Sequence, residues 1–143
     1  MIVGRLDFHK NSAEIEKNTP YSKEKIRDLP SLVKTCDGIG ISGANEHSAS
    51  VLTSYSKTKK IRAIHSSETQ ESIRKSKQIT GKSETLRALS LNPDFLIHMT
   101  HAAKSDIQVT AKKTEGIVIC PSSNSVLAEG LPDLEKMHNA GFL

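Results

Sequence analysis

Tryptophan is absent, and aromatic side chains make up only 3% of the 143 residues. Single-stranded nucleic-acid binders stack bases on aromatic platforms, so this scarcity argues against that class. Cysteine is almost as scarce: Cys36 and Cys120 stand far apart, fit no CxxC metal or redox spacing and suggest no disulfide framework. A reducing cytoplasm is the setting they imply. Long hydrophobic runs are missing as well, none approaching the roughly 18 residues of a membrane span. The opening MIVGRLDFHK has four residues before Arg5, too few for the apolar region of a signal peptide. No membrane association and no targeting segment are expected. The charge excess is small, +4 from 20 basic and 16 acidic side chains. Its basic residues are scattered over SKEKIRD, SKTKKIR, SIRKSK and TAKKTE, as on solvated helix faces, so no nucleic-acid partner is expected.

What is present is an ordinary globular balance, 36% hydrophobic and 25% charged without inflated glycine or proline. The length suits one domain over residues 1–143. Five short apolar runs, 1–3, 38–42, 61–65, 95–98 and 116–120, are rich in Ile and Val and bounded by Gly, Pro or Asp, as strands are. Helical segments separate them. YSKEKIRDLPSLVKTC carries Ile26, Leu29, Leu32 and Val33, with Pro30 expected to break or restart its helix. SASVLTSYSKTKK and SETLRALSL supply two more, and KSDIQVTAKK is expected to start from Ser105 as N-cap, with Asp106 in the first turn. The connection from Glu68 to Leu91 has room for two helices punctuated by Gly81. Strand and helix alternating in this way give parallel βαβ units, and the mostly unbroken apolar runs are those of strands covered on both faces. Such strands build either an open doubly wound sheet or an arc of an eight-stranded barrel.

In both architectures functional groups gather at the carboxyl ends of the strands. Those ends carry Arg5 and Asp7, then Ser42, Asn45 and Glu46, then His65 and Glu68, then His98 and His101, then Cys120, Ser122, Ser123 and Asn124. Two successive strands end in histidine, and a carboxylate follows the first by three residues. Imidazole is the commonest biological ligand for zinc, and a nearby carboxylate can shuttle the proton of a metal-activated water. His65 and His98 suit ligation and Glu68 suits the shuttle. On a strand, residues 98 and 101 point to opposite faces, so both can serve one site only if the strand stops at His98 and the chain turns.

VGRLDF, CDGIGISGANEHS, IHSSET, NPDFLIHMTHA and GIVICPSSNSVLAEGLPDLEKMHNAGF occur in the order and approximate spacing found in the amidohydrolase superfamily, and the chain resembles its cytosine-deaminase and chlorohydrolase-like branch. The resemblance implies about strands 3–7 of a (β/α)8 barrel and metal-dependent hydrolysis of a carbon–nitrogen bond in a small-molecule amine or amide. It implies that His65 is the fifth-strand metal ligand and Glu68 the proton shuttle of an HxxE motif. His98 becomes the sixth-strand histidine, which polarises the leaving group or binds metal. His101 becomes a supporting residue behind it, and Asn124 of the CPxSN motif a residue on the substrate side. Zinc, or another divalent transition metal, is the implied cofactor. The sequence contains no HxH pair, which the family carries at its first strand, and it stops at NAGFL, before the family's eighth-strand Asp. The expectation is therefore the middle of a larger hydrolase, with little turnover as an isolated chain and with open sheet edges that favour a homo-oligomer. The competing expectation is a non-catalytic open-sheet α/β domain acting in protein association.

Overall fold

A computed structural model describes residues 3–7, 12–16, 23–26, 29–47 and 49–142. In chain order its elements are β1 (Val3–Asp7), β2 (Ser12–Glu16), β3 (Lys23–Ile26), α1 (Leu29–Thr35), β4 (Gly38–Ile41), α2 (Ala49–Lys57), β5 (Ile61–Ser66), α3 (Gln70–Thr80), α4 (Glu84–Leu89), β6 (Phe95–His98), α5 (Lys104–Thr110), β7 (Gly116–Val118), α6 (Pro121–Val126) and α7 (Leu134–Asn139). The strands form one sheet in the order β3-β2-β1-β4-β5-β6-β7. From β1 through β4, β5 and β6 to β7 every pairing is parallel. The other two strands join antiparallel at the β1 edge. A doubly wound sheet reverses its strand order near the middle, whereas each parallel strand here lies beside its predecessor, as strands follow one another around a (β/α) barrel.

Local chemistry explains most of these boundaries. Thr69 caps α3 by accepting from the Ser72 N–H at 3.0 Å. The helix stops at Gly81, whose φ of +71° is the left-handed cap that glycine adopts without a steric penalty. Ser83 then caps α4 through the Leu86 N–H at 3.2 Å. The expected pair of helices between Glu68 and Leu91 is thus present. Elsewhere the structure departs from expectation. The segment before Cys36 is not one helix, because Ile26 closes β3 and α1 begins at Leu29. Pro30 is the second residue of α1, where the backbone N–H has no intrahelical acceptor to lose, so of the two outcomes expected for it the restart is the one found. The first strand runs from Val3 to Asp7, and Met1 and Ile2 lie outside the described residues. Ser105 is not an N-cap: α5 starts one residue earlier, behind an extended Ala103 that makes no side-chain cap, although Asp106 does fall in the first turn. The last strand stops at Val118, and Pro121 opens α6.

The core packs Ile39, Ile41, Ile64 and Leu96 from the central strands against Tyr55, Ala88, Leu89, Ile107 and Met137 from the helices. Each large aliphatic side chain buried there contributes about 1.5–3 kcal/mol relative to exposure. At the amino end of β5, Asp94 accepts from the Arg62 N–H at 2.6 Å and pairs with Arg62 Nε at 3.5 Å, tying β5 to the start of β6. No helix among the described residues is long and apolar enough to cross a membrane.

Candidate active site

The carboxyl ends of β5 and β6 bring His65, Glu68 and His98 together. Their ligand atoms all lie within 4.8 Å of one another. Glu68 reaches both rings, with Oε2 3.5 Å from His65 Nδ1 and Oε1 3.3 Å from His98 Nε2. The ring centroids are 4.8 Å apart at an interplanar angle of 65°.

The two histidines arrive by different routes. Ile64 and Ser66 are buried, and the Ser66 hydroxyl meets Thr85 of α4 at 3.2 Å, so that face of β5 looks to the helix layer. Strand alternation then turns His65 to the opposite face. Parallel register pairs Ser66 with His98, and plain alternation would aim His98 at the helix layer too. It does not, because His98 has φ +72° and Met99 φ +55°. That left-handed turn ends the strand and swings the His98 ring over to His65. The left-handed region costs a non-glycine residue roughly 1–2 kcal/mol, and such strain persists only where surrounding contacts enforce it. Here the Met99 N–H donates to Ser66 O at 3.0 Å and the His101 N–H to Ser67 O at 2.9 Å, carrying the ladder past the strand ends.

His98 is 2% exposed and Asn124 is fully buried. Asn124 Oδ1 lies 2.9 Å from His98 Nδ1, and its Nδ2 donates to Thr100 Oγ1 at 2.9 Å. The structure therefore sets Asn124 behind His98, with both ends of its amide engaged inside the protein. The ring of His101 leads away from the cluster to Glu129, Nε2 to Oε2 at 3.1 Å.

A second polar network supports the turn after β5. Glu84 is 4% exposed and accepts from the Ser67 N–H at 2.7 Å, the Ser72 hydroxyl at 2.6 Å and Asn45 Nδ2 at 3.2 Å. Arg87 donates to Asn45 Oδ1 at 2.5 Å, completing the set. Burial raises the Glu84 pKa, against the opposing pull of the Ser72 and Ser67 hydrogen bonds, and the charges of Glu46 and Glu68 raise it further. Ser67, held by this carboxylate, itself has φ +52°. Neither Glu84 nor Thr100 carries a motif that marks it in sequence. A serine–glutamate pair opening a helix is the only local signal for Glu84, and it reads as an ordinary helix start. Cys120 stands at the carboxyl side of β7. Burial and then the Glu68 charge push its thiol up, so it stays protonated at neutral pH and is a poor nucleophile.

The donor set suits a divalent transition metal. Zinc takes nitrogen and oxygen ligands at about 2.0–2.2 Å, which puts two ligands of one ion at most roughly 4 Å apart. Three donors within 4.8 Å need only a small convergence to meet that limit.

This fold is part of a (β/α)-barrel, with the cluster at the carboxyl ends of its strands. The comparisons with known proteins find aminohydrolase, deaminase and amidohydrolase relatives. No protein-family model matches the chain. A Methanothermobacter thermautotrophicus protein provisionally named an aminohydrolase is 33% identical over 120 residues, covering 81% of this chain and 31% of the relative. Among solved structures, an amidohydrolase from Brucella melitensis superposes with a TM-score of 0.65 at 21% identity, over 73% of this chain and 25% of that one. An adenosine deaminase from Xanthomonas campestris with bound zinc gives 0.63 at 21% identity, over 72% and 25%. In sequence and in fold the chain is thus similar to amidohydrolase-superfamily proteins along one part of their barrel, and it spans about a third of the length of the curated relatives it matches.

Proposed function

We propose that residues 1–143 are one α/β unit from the middle of a metal-dependent hydrolase that acts on a carbon–nitrogen bond of a small-molecule amine or amide. The observation that carries this reading is the meeting of one carboxylate with two imidazoles from neighbouring strand ends, at 3.5 and 3.3 Å. The names of the similar proteins, an aminohydrolase and a zinc-containing adenosine deaminase, support the reaction class. His65 and His98 hold the divalent ion, zinc being the first candidate. A bound metal supplies a water acidified to a pKa of about 7. Glu68, one-quarter exposed between the rings, takes a proton from the nucleophile and returns it to the leaving amine. His98 is held in place by buried contacts, while His65, one-third exposed, borders the side from which a substrate enters. His101 supports from outside the cluster, through its backbone bond to Ser67 and its pairing with Glu129. A reducing cytoplasm suits the thiols of Cys36 and Cys120.

The 143 residues contain no HxH pair, and two imidazoles with one carboxylate hold zinc weakly, so the isolated chain has little or no turnover. It associates with a second copy along the outer edge of β7. Val118 on that edge strand is half-exposed, and Val126, Leu127 and Leu131, which follow it in the chain, also present apolar surface to solvent, which suits association. The test is calorimetric titration with zinc and sedimentation of the same sample. Weak zinc binding that disappears in a His65→Ala/His98→Ala variant, from a particle larger than a monomer, is the expected result. An unchanged isotherm in that variant would reject the metal assignment, and a monodisperse monomer would reject the association.

A further inference from the structure

His98 needs something besides its strand to aim it. Its backbone is in the left-handed region, and its regular register would point the ring to the wrong face. The ring has two nitrogens with distinct surroundings. Nε2 faces Glu68 Oε1 at 3.3 Å, and Nδ1 faces Asn124 Oδ1 at 2.9 Å in a part of the protein closed to water. A second contact holds the other end of the Asn124 amide, whose Nδ2 donates to Thr100 Oγ1 at 2.9 Å. Its backbone is tied as well: its N–H donates to Cys120 O at 3.0 Å, and its carbonyl accepts from the Glu129 N–H at 2.9 Å.

A carboxamide oxygen only accepts hydrogen bonds, so the nitrogen opposite it has to carry the proton. With Nδ1–H fixed, the neutral ring keeps its lone pair on Nε2, at the edge shared with His65 and with the Glu68 carboxylate, where a cation seated between nitrogen and oxygen satisfies both. The opposite tautomer would satisfy Glu68 at 3.3 Å but, with the amide oriented as it stands, would set two lone pairs against each other at 2.9 Å on the buried Asn124 side. The geometry points to Asn124 as the positioning residue that fixes the tautomer and aim of His98, with Thr100 as its anchor, and not as a group that touches substrate. This deepens the metal-site reading and rests on it only for the use made of the free nitrogen. Groups behind a metal-binding histidine commonly set which nitrogen is available, and losing them weakens metal affinity about 10–100-fold.

The test is the nitrogen-15 spectrum of histidine-labelled protein, wild type and variants, recorded at a pH where the ring is neutral and repeated with zinc. The expected wild-type spectrum shows His98 Nδ1 protonated and Nε2 bare. Asn124→Asp, which keeps an acceptor at the same place, preserves that pattern. Asn124→Leu loses it, and its zinc affinity falls about 10–100-fold. If Asn124→Leu does not fold, Thr100→Val releases the amide and is expected to give a mixture of tautomers. A wild-type His98 with bare Nδ1 and protonated Nε2, or a pattern unchanged in both Asn124→Leu and Thr100→Val, would overturn the inference. The spectrum reads the tautomer whether or not metal binds. Wild-type protein that takes up no zinc yet shows Nδ1–H rejects the metal reading and leaves this one standing.

Discussion

His65 and His98 meet with their ring centroids 4.8 Å apart, yet the chain delivers them by opposite means. His65 follows the rule of its strand: neighbours Ile64 and Ser66 are buried on the helix side, so alternation turns it to the other face. His98 breaks the rule of its strand through two consecutive left-handed residues, and a hydrogen bond to Asn124 then holds the ring. A group placed by strand alternation depends on ordinary core packing. A group placed by strain depends on specific polar partners. The β5 end combines both, since the turn after His65 is fixed by Glu84.

The largest effect is expected from the packing side. Ile64→Ala removes a fully buried side chain beside His65 and should cost about 2–5 kcal/mol in urea unfolding, loosening His65 with the whole strand. A loss below 1 kcal/mol would mean that β5 is not held by this core. Next comes the buried carboxylate. Glu84→Ala strands the Ser67 N–H and should cost about 1–3 kcal/mol.

Glu84→Gln separates charge from shape. The Glu84 pKa is raised in the fold above its unfolded value, so in the window between those two values the native state binds more protons than the unfolded chain. Stability contributed through this group therefore falls as pH rises through that window. Glu84→Gln should remove this part of the pH dependence in denaturant unfolding, and a slope unchanged from wild type would contradict the assignment. The smallest effect sharpens the strain argument. Ala128, exposed after α6, has φ +56°, the same region as His98 but with no ring to deliver. Ala128→Gly should stabilise by up to about 1–2 kcal/mol, because the strain there is not tied to any site. A destabilised variant would show that left-handed residues in this chain are not under strain.

The same contrast explains what could be read from the residues alone. The runs at 38–42, 61–65, 95–98 and 116–120 were legible as parallel strands because short Ile- and Val-rich stretches covered on both faces need no partner information. SAEIE and KEKI were not, since Ala13, Ile15 and Ile26 are their only apolar residues and Ile26 fits a helical spacing with Leu29 and Val33 equally well. The convergence of His65, Glu68 and His98 was legible in outline from strand-end position. The means of convergence was not. The left-handed turn at His98 carries no glycine to announce it, and Asn124, Thr100 and Glu84 act on partners 17 to 26 residues away in sequence. Such contacts exist only once the sheet has formed.

The central claim is that His65 and His98 present their nitrogens to one divalent ion. X-ray absorption at the zinc edge, on the zinc-loaded chain, measures this directly. The expected spectrum shows imidazole scattering from two histidines with nitrogen at about 2.0–2.1 Å, falling to one in His98→Ala. A zinc shell without histidine, or one identical in the His65→Ala/His98→Ala protein, would contradict it.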